Sequence, residues 1–252
     1  MIENYINRHT IMGMMSRHYT PFEDFTGFYK NKIRDKVVIF NKDFLLGDYK
    51  EVNYYYILEK PELKIKNMYS STLLVSHFNS DFFKLEGKSK TEIRETRNKY
   101  NKVITIKKDI DDVGEVVLLI DRWDELSGKK YGWQRHSGYD RSFFLKYYEQ
   151  EKENLFSLFF YINDELVGYS IVSKIQEDNC FKYIIRKMDN SIGRNICLYI
   201  DFKTFENLYN IYGSDFYINW GASSGNVLTY KKKFPVYSED KVWFYKIKRE
   251  EK

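Results

Sequence analysis

The chain has 252 residues, 43% of them hydrophobic, with 23 Tyr and 19 Phe, enough to bury a core as one large domain or two small ones. Three prolines and thirteen glycines are too few for a disordered or linker-rich protein. The net charge of +5 permits a polyanionic partner or a phosphate-bearing donor without demanding either, because the Lys-, Asn- and Tyr-rich composition of an AT-rich genome gives the same balance. Cys180 and Cys197 are the only cysteines and have no metal-ligand spacing, so neither a disulfide scaffold nor a metal site is expected. Met1-Ile2-Glu3-Asn4 leads into no apolar signal segment, and the longest apolar runs, residues 116–120 and 155–162, are too short to cross a bilayer. The expected setting is soluble, reducing and cytoplasmic.

Residues 2–29 are aromatic and polar without clean periodicity. Residues 37–40 and 54–58 are β-branched or aromatic runs that read as strands, and 73–75 is a weaker one. Ser89 or Lys90 then opens a helix with Glu92 in its first turn, where the macrodipole favours an acid. Ile93, Arg97 and Tyr100 share one face of that helix. Arg94 and Arg97 stand one turn apart and can address a single phosphate or a nucleic acid; ion pairing on a solvated surface helix is the other reading. Residues 103–106 predict a strand, and 113–126 and 142–149 predict helices. Between those helices, Trp133, Gln134, Arg135 and His136 place an aromatic platform, an amide, a cation and an imidazole in a glycine-flanked loop. Such a loop suits a base, a sugar or an acceptor amine, with His136 as general base, or else is anchored in the core by Trp133. His9, His18 and His77 form no recognised motif. The charged residues 150–154 predict a boundary between a half of residues 1–150 and a half of residues 151–252.

In the second half, residues 156–162 and 166–175 are β-rich runs joined by the turn Asn163-Asp164-Glu165, and 181–186 is a third strand. A loop, residues 189–195, leads into a long amphipathic helix, 196–212, with Ile196, Ile200, Phe205 and Leu208 on its buried side. A strand over 215–220, a small-residue loop over 221–225, a short helix over 226–234 and a strand over 242–247 complete the chain.

This order of hairpin, strand, glycine loop, helix, strand, short helix and strand resembles the core of the GNAT superfamily, and within it the Fem-type and lysyl-phosphatidylglycerol-synthase-like branch. Two stretches carry the resemblance: Leu85-Glu86-Gly87-Lys88 with Ile93-Arg94 and Arg97-Asn98-Lys99-Tyr100, and Ile218-Asn219-Trp220-Gly221-Ala222-Ser223-Ser224-Gly225 followed by Tyr230-Lys231-Lys232-Lys233-Phe234. The resemblance implies an α/β (α+β) fold, a mixed central sheet flanked by helices, built as one or two incomplete GNAT-like halves. It also implies acyl or aminoacyl transfer from a thioester or aminoacyl donor, acyl-CoA or aminoacyl-tRNA, to an amine acceptor.

By that resemblance the loop before the long helix grips the donor pyrophosphate, with Gly193 allowing close backbone approach, Arg194 adding a charged contact and Asn195 beside them. The usual loop is richer in glycine, and a lone Gly193 fits an ordinary turn or a change of donor equally. Tyr230 and Ser223 occupy positions where GNAT enzymes place the acid that protonates the leaving group. Asn219 binds a donor amide or satisfies a buried backbone group. Lys233, in the run Lys231–Lys233, holds a phosphate or lies on a solvated face. Two further readings stand beside this one: a transferase that modifies DNA or tRNA, and a non-catalytic binding protein on a GNAT fold.

Overall fold

In the computed structural model, the described residues are 19–21, 28–31, 36–39, 51–57, 68–131, 138–146, 148–174, 179–213 and 215–248. The first elements are strands β1 (Tyr19–Pro21), β2 (Phe28–Asn31), β3 (Lys36–Ile39), β4 (Glu51–Ile57) and β5 (Tyr69–Phe78), then helices α1 (Ser80–Lys84) and α2 (Thr91–Tyr100). Next come β6 (Thr105–Lys107), α3 (Val113–Tyr131), α4 (Gly138–Lys146) and α5 (Tyr148–Glu151). The remainder is β7 (Leu155–Ile162), β8 (Glu165–Lys174), β9 (Cys180–Met188), α6 (Ile196–Tyr212), β10 (Phe216–Ser223), α7 (Gly225–Lys231) and β11 (Val236–Lys248).

The chain divides into two compact units: His77–Ile218, and Met1–Ser76 together with Asn219–Lys252. The backbone passes from one to the other within β5 and within β10. The boundary expected at residues 150–154 lies inside the first of these units. There the helices on one side of that stretch and the strands on the other share one apolar core, so no break forms at the charged residues.

In the unit His77–Ile218, β9, β8, β7 and β6 pair antiparallel in that spatial order. The β7–β8 hairpin closes where the sequence placed it. Asn163 and Asp164 both take left-handed backbone, with φ of 49° and 63°, as a two-residue turn matched to the strand twist requires. Helices cover both faces of this sheet. Phe159, Tyr161, Tyr169 and Ile171 pack against Val116, Leu119, Ile120, Phe143 and Phe144 of α3 and α4. The alternate residues Leu158, Phe160 and Val167 pack against Tyr100 of α2 and Ile196, Tyr199 and Ile200 of α6. Side chains alternate along a strand, so double coverage demands an apolar residue at nearly every position, which is why β7 and β8 read as continuous runs. Ile196, Ile200, Phe205 and Leu208 of α6 are buried, as the helical spacing predicts.

α2 ends in a tight turn in which the Val103 and Ile104 amides both donate to the Tyr100 carbonyl. The strand expected from residue 103 therefore starts at Thr105. α1, which the sequence reading did not include, is set by Asn79, whose side chain accepts the Phe82 amide at 3.1 Å.

In the other unit the strand order is β1-β2-β3-β4-β11-β5, parallel between β3 and β4. β11 lies between β4 and β5 and is antiparallel to both. Leu73 of β5 packs with Val242 and Phe244 of β11.

One polar group lies at the heart of α6. Asp201 is fully buried and accepts a hydrogen bond from the Tyr183 hydroxyl at 2.6 Å and another from the Arg186 guanidinium. Burial, then the Asp201 charge, pushes the Tyr183 phenol well above its ordinary range, so it stays a donor. Asp201→Ala removes the acceptor that these two donors share, and is expected to lower stability by about 3–5 kcal/mol in urea unfolding. A loss under about 1 kcal/mol would show that the network does not bear on stability.

Candidate functional site

Two clusters hold the residues singled out in the sequence, one in each unit. The first is the loop from β9 into α6. β9 ends at Met188, and Asp189, only 4% exposed, follows with its amide bonded to the Val167 carbonyl at 2.8 Å. Its Oδ1 accepts both the amide and the hydroxyl of Ser191, at 2.8 and 2.6 Å. Its Oδ2 accepts from Arg122 of α3 at 3.0 Å, and Arg122 also donates to Glu165 of β8 at 2.7 Å. Burial alone raises a carboxyl's pKa; here the Ser191 and Arg122 hydrogen bonds outweigh it and hold Asp189 below the usual carboxylate range.

Gly193 comes next, with φ of 146°, a left-handed value that favours glycine. A Cβ there would sit 3.0 Å from the Tyr100 hydroxyl and 3.3 Å from Lys99 Nζ. The Tyr100 hydroxyl donates to the Arg194 carbonyl at 3.0 Å, fastening α2 to the loop. Asn195 stands at the N-cap position of α6, but its side chain makes no cap bond and instead donates to Glu92 Oε1 at 3.0 Å. Asn195 therefore leaves the first turn of this 17-residue helix without a cap from its own side chain. The exposed Arg194 and Lys99 flank that turn. Amides at a helix start, the positive end of a helix dipole and nearby cations are the groups that a phosphate would need.

Arg94, expected to reach a phosphate, is turned onto its own chain. It donates to the carbonyls of Leu85 and Gly87, the latter at 2.8 Å, and to Thr91 Oγ1 at 2.9 Å. It buckles the connection between α1 and α2. Arg97, one turn on, is partly buried.

The second cluster is the corner between β10 and α7. Asn219 is buried and its Oδ1 accepts the Gly221 amide at 2.9 Å. It thus satisfies a buried backbone donor, one of the two roles open to it in the sequence. Gly221 has φ of 74° and completes the turn. The Trp220 indole donates to Ser76 Oγ at 2.8 Å and packs on Phe234, ring centres 5.2 Å apart. Tyr230 is half-buried, 6.2 Å from the Phe234 ring.

Lys231 points inward: its Nζ lies 2.7 Å from the Trp220 carbonyl and 2.6 Å from Ser223 Oγ. Lys232 pairs with Glu239 at 2.6 Å, and the exposed Lys233 lies 6.0 Å from the Tyr230 ring centre. Phe234, three residues past the end of α7, is 2% exposed.

Trp133, Gln134, Arg135 and His136 lie outside the described residues, as do His9 and His18. His77 stacks on Tyr217 and lies 3.4 Å from Asp215. Among the described residues no group of His, Cys, Asp or Glu gathers as metal ligands, and no helix is long and apolar enough to cross a membrane.

No family model matches the sequence, and no curated protein matches it. Solved structures do. L-PGS from Bacillus licheniformis superposes with a TM-score of 0.61 at 12% identity, covering 97% of this chain and 90% of that one. The C-terminal domain of a putative lysylphosphatidylglycerol synthetase from Agrobacterium fabrum gives 0.59 at 9% identity, covering 99% and 91%. A tandem GNAT protein from the clavulanic acid biosynthesis pathway gives 0.51 at 8% identity, covering 88% and 77%. The fold is GNAT-like, of the kind found in the lysylphosphatidylglycerol-synthetase proteins, as the order of elements predicts.

The Asp189 geometry sets a pH dependence. A carboxylate whose folded pKa is depressed adds stability above its unfolded value of about 4 and loses it as pH falls through the lower folded value. Asp189→Asn is therefore expected to be less stable than the parent at neutral pH, with the gap closing below about pH 4. Urea midpoints measured across that range check this; a gap independent of pH would show that the charge is not what matters.

Proposed function

We propose that the protein is an acyl or aminoacyl transferase, moving an acyl group from a thioester or aminoacyl ester to an amine acceptor. The observation that carries this reading is the uncapped first turn of α6, flanked by Gly193, Arg194 and Lys99. Acyl-CoA and aminoacyl-tRNA both carry phosphate groups, and the loop offers what phosphate needs. The GNAT-like fold supports the same reading, since the similar structures include a tandem GNAT protein and a putative lysylphosphatidylglycerol synthetase.

The chemistry asks little beyond positioning. Holding amine and carbonyl together supplies much of the rate, and proton transfers supply the rest. Tyr230 serves as the proton donor to the leaving group, and His136 as the base that takes the amine proton. Asn219, through its hold on Gly221, shapes the corner between β10 and α7. Lys233 is a further phosphate contact. The first 150 residues, through Arg97 and the stretch Trp133, Gln134 and Arg135, supply the acceptor side.

Acyl-CoA or aminoacyl-tRNA at about a hundred times its dissociation constant is expected to stabilise the fold by about 2.7 kcal/mol, read as a thermal shift. Arg194→Ala and Lys99→Ala should each weaken that donor about tenfold, with the effect shrinking at high salt. If neither donor class shifts the melting transition of the parent protein, the transferase reading falls.

A further inference from the structure

We propose that Ser223 and Lys231 are a nucleophile and its base, and that acyl transfer passes through an ester on Ser223 Oγ. The proposal rests on the transferase reading only for the identity of its donor. Its own basis is the corner between β10 and α7.

Ser223 Oγ and Lys231 Nζ stand 2.6 Å apart, within reach for direct proton transfer. The base is itself held by a third group, the Trp220 carbonyl at 2.7 Å. A nucleophile, a base in contact with it and an orienter behind the base is the arrangement that activates a hydroxyl, and serine–lysine pairs are one form of it. The frame around the pair is fixed. The Trp220 indole is bonded to Ser76 and packed on Phe234, and Asn219 holds the Gly221 amide. The Trp220 carbonyl and the Ser223 hydroxyl therefore converge on one amine.

The same geometry serves both protonation states. As an ammonium, Lys231 donates to both oxygens. As an amine, it keeps one N–H on the Trp220 carbonyl and accepts the Ser223 O–H with its lone pair. Moving the proton requires no rotation of either side chain.

In the first step, Ser223 Oγ attacks the donor's carbonyl carbon while its proton passes to Lys231 Nζ. The new C–O bond forms, and the C–S bond of a thioester or the C–O bond of an aminoacyl ester breaks. On this covalent route Lys231, in place of Tyr230, gives its proton to the leaving thiolate or alkoxide. In the second step the acceptor amine attacks the acyl-serine carbonyl, the C–N bond forms and the bond to Ser223 Oγ breaks. The amine proton returns through Lys231, in place of His136, to Ser223. A lysine that merely tied the corner together would give none of this chemistry.

The test uses p-nitrophenyl acetate, an activated ester that needs no donor-binding site. The full chain should release a burst of nitrophenolate and gain one acetyl group, mapped to Ser223 by peptide mass spectrometry. Ser223→Ala should lose the burst and that label. Lys231→Met should acylate Ser223 about a hundredfold or more slowly. Lys231→Arg keeps the cation and its hydrogen bonds, so it should preserve the melting temperature without restoring the rate. Absence of label on Ser223, or labelling of Lys231→Met at the parent rate, overturns the proposal. Ser223→Ala that still transfers from acyl-CoA or aminoacyl-tRNA at the parent rate also overturns it, and leaves the transferase reading standing. Labelled Ser223 with no transfer from either donor sinks the transferase reading and leaves the pair intact.

Discussion

A carboxylate can remain ionised in a buried place only if hydrogen bonds replace the water it has lost, and Asp189 meets that condition at the end of β9. Three of its partners come from two directions. The Ser191 amide and hydroxyl belong to the loop that follows, and Arg122 belongs to a helix on one face of the sheet. Arg122 reaches on to Glu165 at the hairpin. One side chain thus joins a helix, a strand end and the loop that opens α6. The conformation of that loop is set before any ligand arrives, and a loop already ordered gives up less entropy on binding.

The sheet beneath it depends on coverage of both faces. β7 and β8 bury alternate residues against different helices, so their sequence is apolar throughout and their identity as strands was plain. The hairpin was equally legible, since Asn163 and Asp164 are residue types that accept left-handed backbone. The division of the chain was not. Charge at residues 150–154 suggested a linker, but local charge does not report which elements share a core. Phe143, Phe144 and Tyr148 before that stretch pack with Phe159 and Tyr169 after it. The relevant information is long-range contact, which no local pattern encodes.

The same limit applies to the candidate residues. Gly193, Arg194 and Asn219 stand out in the sequence because turn chemistry and helix starts leave local marks. Their partners do not. Lys99 and Tyr100 reach Gly193 and Arg194 from α2, more than ninety positions earlier in the chain. Arg94 shows the converse: an arginine beside another on a helix suggests an anion, while its actual acceptors are the carbonyls of Leu85 and Gly87.

The same local bond recurs after β9 and within β10. A side-chain oxygen, of Asp189 or Asn219, accepts the amide two residues on, and a glycine with positive φ lies between that residue and the next helix. The helices differ in length: α6 has 17 residues and α7 has seven. A larger macrodipole comes with the long helix, and it favours an anion at the turn after β9. The short helix cannot supply that field. It carries a lysine whose Nζ is set against a serine hydroxyl and a carbonyl. The same bond therefore precedes a long helix in one place and a short, basic one in the other.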